Sequence, residues 1–163
     1  MTETQREPVP RTTGSEKEIA LSFLRFARHC LVKKTQGLDE EQLRRVLVPS
    51  GTSLLGLVQH VTIGERWWVG YHLAGDSRWA DVDFGMEVPG DVTSAEVLAA
   101  FDEAVADSEA ILADADLDDP LTVLVDDQQL TVRWMLAHKT SEIARHAGHA
   151  DILRELIDGV TGR

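Results

Sequence analysis

The chain has 163 residues, 43% of them hydrophobic, with 28 acidic against 16 basic residues and a formal charge of −12. That length suits one domain with a continuous core, and the charge argues against partners that present nucleic-acid phosphates or anionic lipid headgroups. No apolar run approaches the roughly 20 residues that cross a bilayer, and the single cysteine, Cys30, excludes an internal disulfide framework.

The N-terminal stretch "MTETQREPVPRTTGSEKE" lacks the apolar core of a secretory signal. A cytoplasmic protein is expected, with residues 1–14 as a flexible arm rich in Pro, Thr and charge, and 15–163 as the folded domain. From Ser15 to Gly37 the residues Ile19, Ala20, Phe23, Leu24, Ala27, Cys30 and Leu31 recur at three- and four-residue steps. Ser15 with Glu18 predicts a capping box, and Gly37 a helix end. "LDEEQLRRVLVPSG" reads as a linker with a turn of helix, broken at Pro49 and Gly51.

Ser53 should cap a second helix, whose buried stripe is Leu54, Leu57, Val58, Val61, Trp68 and Tyr71. "DSRWADVDFGMEVPGD" has no sustained period and is expected to be a long loop bordering a site. Thr93 and Glu96 predict the capping box of a third helix, with Val97, Leu98, Phe101, Val105, Ser108, Ile111 and Leu112 on one face. "LTVLVDDQQLTV" suggests a short extended excursion or small hairpin about Asp126 and Asp127, too short to found a sheet. The fourth and longest helix runs from about Thr131 to Asp158, before Gly159. The expected fold class is all-α, a four-helix bundle with long inter-helix connections, which places metal and cofactor sites in its core.

Within the last helix "HKTSEIARHAGH" gathers His138, Glu142, His146 and His149. Residues three or four apart share a helical face, so they lie on one stripe that begins at Met135 and runs on to Leu153 and Leu156. Polar ligands thus stand where the interior is expected, and left unpaired there each would cost several kcal/mol. A catalytic zinc commonly takes three protein ligands and leaves a fourth position open. The third ligand must come from another helix, where His60, set among Leu57, Val58 and Val61, stands out. Spacing alone does not select which of the four polar residues would bind. A solvated Glu–His pair is the plainer reading of the same pattern.

The runs "EIARHAGHADILRELIDG" and "LLGLVQHVTIGERWW", in a four-helix order, resemble the DinB-like superfamily, specifically its branch related to mycothiol-dependent maleylpyruvate isomerase. The resemblance covers nearly the whole chain after the arm. It implies a divalent metal, zinc or nickel, held by His60, Glu142 and His146, with Glu at the first ligand position of the motif as in the thiol-using branch. His149 and His138 then fall behind the ligands or toward substrate. Arg145 and Arg154 are expected on solvated flanks, Trp67, Trp68 and Tyr71 in core or dimer packing, and Cys30 as a small buried hydrophobe. The isomerase carries a further C-terminal domain that this chain does not match.

The function so implied is a metal-dependent transferase that adds a mycothiol-like low-molecular-weight thiol to an electrophilic small molecule, for detoxification or metabolite tailoring. The competing expectation is a non-catalytic metal-binding module that binds a partner or a second copy of itself as a homodimer. Neither nucleic acid nor membrane is an expected partner.

Overall fold

A computed structural model describes residues 6–162. Residues 1–5 of the expected arm lie outside the described residues; 6–14 carry no helix, and Glu7 reaches α1, pairing with Lys33 at 2.8 Å and His29 at 3.2 Å. Ser15 opens α1 (Glu16–Lys33) with the reciprocal capping box: its hydroxyl accepts from the Glu18 N–H, and the Glu18 carboxylate accepts from the Ser15 N–H. The helix stops short of Gly37. After Lys33 the amides of Lys34, Thr35 and Gln36 bond back three residues instead of four, a tightened turn that Gly37 completes at φ +76°. Arg154, expected on a solvated flank, is buried against this turn. Its guanidinium donates to the carbonyls of Lys34 and Gln36 and pairs with Asp158, so it satisfies acceptors that no helical N–H reaches.

The linker holds one short helix, α2 (Glu40–Arg44), capped by Asp39. The Ser53 hydroxyl accepts from the Gly56 N–H at 3.0 Å and starts α3 (Leu54–Glu65). Without a break the chain then widens into a π-helix, Arg66–Leu73. The sequence pattern predicts one continuous α-helix here. In the wider turn Val69, His72 and Leu73 are the buried residues, while Trp68 and Tyr71, expected on the buried stripe, are only partly covered. The π geometry also lets Trp67 meet His72, five residues on, with ring centroids 4.2 Å apart.

Residues 74–93 form the expected long loop, with one 3₁₀ turn at Ser77–Trp79. It is fastened to α3 at Gly56, where a Cβ would stand 2.1 Å from the Met86 carbonyl oxygen, so only glycine permits the approach. The Gln59 side chain adds a bond to the Glu87 carbonyl. Thr93 and Glu96 cap α4 (Ser94–Asp114) as predicted, burying Val97, Phe101, Ala104, Ser108 and Leu112. The excursion that follows is a tight hairpin: Val125 and Gln128 bond across Asp126 and Asp127, both at positive φ, and no extended strand occurs among the described residues. It is pinned to the π-helix by bonds from Val123 and Thr122 to the carbonyls of His72 and Leu73.

Thr131 caps α5 (Val132–Asp158), which ends at Gly159 in the left-handed region. The fold is all-α. Helix α1 lies along α5, α3 lies along α4, and α3 also meets α5. Leu24 and Leu31 of α1, Leu55, Leu57 and Val58 of α3, Leu112 of α4, and Met135, Leu136 and Ile143 of α5 meet in one core. Each such side chain contributes about 1.5–3 kcal/mol by leaving water. No helix among the described residues is long and apolar enough to cross a membrane.

Candidate metal centre

The contact of α3 with α5 brings His60 to Glu142 across 82 positions of sequence. His60 sits two residues past the fully buried Val58, at the edge of the core, so its ring is half-buried among apolar neighbours and points toward α5. Glu142 and His146 stand one turn apart on α5, flanking buried Ile143. The Nε2 atoms of His60 and His146 converge on one oxygen, Oε1 of Glu142, at 3.1 and 2.7 Å. One ligand atom from each of the three residues lies within 4.8 Å of the others, a group able to hold a metal ion.

The proton count favours a cation at this point. His60 Nδ1 lies 2.9 Å from the Phe84 carbonyl, which can only accept, so Nδ1 bears the hydrogen. In a neutral ring Nε2 then carries a lone pair aimed at a carboxylate oxygen. Two acceptors face each other unless a second proton or a metal ion stands between them. The titration of the metal-free groups agrees: the Glu142 bond raises the His60 pKa against the opposing effect of burial. Burial alone would raise the Glu142 pKa, yet the bonds from His146 and His60 hold it down at about 2. Nδ1 of His146 is buried without a hydrogen-bond partner. Two imidazoles and a carboxylate fit a borderline-soft divalent ion, and the Phe84 carbonyl fixes the tautomer that leaves Nε2 free to bind it.

The other expected residues fall on two sides of this group. His149 is exposed, with its ring 5.5 Å from that of His146, and the two share the wall of a small cavity. His138 belongs elsewhere. It stacks on Trp134, with planes 11° apart, and leans on Trp68. Trp67 packs against both Trp68 and Phe84, so the aromatic residues of the π-helix brace the loop that holds His60. Cys30 is partly buried, and its burial pushes the thiol pKa up, away from nucleophilic character. Arg145 is exposed as expected.

Sequence reasoning missed a second charged group nearby. Glu65, wholly buried at the end of α3, takes Arg28 on both carboxylate oxygens, at 2.9 and 2.7 Å, and Lys139 at 3.1 Å. Arg28 also pairs with Glu109 at 2.6 Å. The signal was present: Glu65 follows Val61 by four residues, and Lys139 stands four after Met135 and four before Ile143, all at buried positions.

Among curated proteins none matches the chain. The family model described as mycothiol-S-transferase matches residues 20–159, which takes in α1 through α5 and all three converging ligands. With most of its length so matched, the chain belongs to the mycothiol-S-transferase family, within the DinB-like superfamily.

Proposed function

We propose that the protein is a divalent-metal-dependent S-transferase that joins a mycothiol-like thiol to an electrophilic small molecule. The observation that carries this reading is the convergence of His60, Glu142 and His146 in a chain of the mycothiol-S-transferase family. A divalent cation at that point supplies the positive charge that lowers a thiol's pKa, so that sulfur is an anion at neutral pH. The chain's own residues do the positioning. Phe84 fixes the His60 ring, and Glu142, drawn toward both imidazoles, contributes one negative charge that leaves a net positive centre for an incoming sulfur. In the transfer, sulfur bonds to the electrophilic carbon, the leaving group departs with its electron pair, and the thiol proton passes to solvent.

Zinc suits the two-His, one-carboxylate set, and nickel is the second expectation. The fold fits a four-helix bundle of the DinB-like type over residues 15–163, similar in its motif to maleylpyruvate isomerase, and we place the protein in the cytoplasm, with detoxification or metabolite tailoring as its purpose and a homodimer as its working form. Incubation with zinc, mycothiol and a bimane halide should give enzyme-dependent conjugation that chelator abolishes. No conjugation above background with mycothiol or other thiols, in protein that carries one metal ion per chain, would leave the non-catalytic binding module as the better reading.

A further inference from the structure

Beside His146 lies a cavity of about 270 Å³ whose apolar wall is Val48, Met86, Ile152 and Leu153. His146 and His149 form its other side, and the two hydroxyls that also line it, those of Ser50 and Thr52, bond to each other at 3.0 Å. Little hydrogen-bonding capacity therefore faces a ligand from this wall. Ile152 keeps 59% of its surface exposed at this spot, a large apolar side chain held open to solvent one and a half turns beyond a candidate ligand on the same helix. Across Ser50 and Met86, which line both spaces, is a larger and more polar cavity of about 630 Å³ bordered by Asp83, Glu87 and Ser53. The segment between the two spaces is the one fastened at Gly56 and holding His60 through Phe84.

Resting on the transferase reading above, we propose that the apolar cavity is the electrophile's subsite, and that it selects electrophiles with a compact apolar body of about one aromatic ring. Three points argue for the electrophile over the thiol. The cavity abuts a metal-ligand candidate, so a group seated in it lies next to any sulfur held at that centre. At about 270 Å³ it is below the range of about 300–1,000 Å³ that takes drug-sized ligands. A water-soluble thiol with many hydroxyls would leave its polar groups unpaired against Val48, Met86, Ile152 and Leu153, whereas the neighbouring cavity offers them partners. With 1-chloro-2,4-dinitrobenzene the step balances as one S–C bond formed, chloride released with the C–Cl pair, and the thiol proton given to solvent.

The test uses the zinc-loaded protein and Ile152→Glu, a change at an exposed helical position that keeps helix propensity and should leave the circular dichroism spectrum and metal content unaltered. The unreactive probe 1,3-dinitrobenzene should shift the Met86 methyl resonance saturably, and Ile152→Glu should weaken that binding at least tenfold. In turnover with mycothiol, Ile152→Glu should raise KM for 1-chloro-2,4-dinitrobenzene at least tenfold, while the rate with acrylamide, small and polar, stays within twofold. No Met86 shift in the native protein, or equal KM values in the two proteins, overturns the subsite and leaves the transferase reading intact where acrylamide is still conjugated. Absence of conjugation with either electrophile overturns the transferase reading, and the assignment of an electrophile falls with it.

Discussion

Two charged clusters bridge α3 and α5 almost side by side, Glu65 with Lys139 and Arg28 in one, Glu142 with His60 and His146 in the other. Each has one carboxylate between two basic side chains. They differ in which bases, and in whether water reaches them. The side chains of Glu65, Arg28 and Lys139 are 0–3% exposed, and their cations are permanent members of the chain. Those of His60, His146 and Glu142 are 17, 13 and 31% exposed, and their bases are neutral for much of the accessible pH range. The first arrangement is closed on itself and holds the helices. The second can trade its proton for another cation, which makes it a binding site.

Breaking the closed cluster should have the largest effect. Glu65→Ala leaves Arg28 and Lys139 buried with only the partly exposed Glu109 to balance them, and should cost about 3–5 kcal/mol in urea unfolding of the metal-free protein. His60→Ala and His146→Ala should do the reverse: stoichiometric zinc binding, read by elemental analysis after dialysis, is lost while unfolding of the metal-free form moves far less. Equal unfolding penalties in the two sets would remove the distinction between them.

A sharper form touches no ligand. Gly56→Ala puts a methyl group where the Met86 carbonyl sits, so the loop must retreat and the Phe84 carbonyl with it. Losing the bond that orients His60 should weaken zinc about 10- to 100-fold, measured by competition with a chromophoric chelator. A subtler separation comes from pH. Lys139 and Arg28 hold the Glu65 carboxyl at about 2 despite its burial, and His146 and His60 do the same for Glu142. Folded pKa values below the ordinary 4.5 mean stability that is complete above about pH 4.5 and declines as the pH falls toward 2. His60 runs the other way: its pKa is raised, so zinc must displace a proton and should bind more tightly as the pH climbs above 6.5, with proton release visible by calorimetry in two buffers. The smallest effect belongs to a site remote from both clusters. Thr93→Ala removes the cap of α4 and should cost about 1 kcal/mol in unfolding with no change in zinc affinity.

The helices were legible because their signals are local. Ser15, Thr93 and Thr131 cap where the pattern says, and Gly159 ends α5. Gly37 misled by its type: it does occupy the left-handed region, but three-residue bonds after Lys33 had already ended the helix. At the centre, helical spacing put Glu142 and His146 on one face, and the family likeness singled out His60. What spacing could not supply is the long-range part. Arg154 is buried because carbonyls of a distant turn need it, and the partner of His60 Nδ1 is a backbone oxygen in a loop with no periodicity at all. His138 follows the same lesson, since its neighbour Trp68 comes from the π-helix, whose widened turn left no mark in the hydrophobic pattern.

That π-helix works as a phase adjuster in the chain. In an α-helix each residue advances about 100° around the axis, so the contact of Trp67 with His72 at five residues' remove would fall on different sides. Deleting one residue between Arg66 and Leu73 would let the segment relax to ordinary turns and rotate everything after it by about that angle relative to His60. Trp67 would then leave Phe84, and the loop would be delivered to the wrong face of α3 although every ligand was still present. A one-residue change in length here should therefore do more to the centre than many changes in composition.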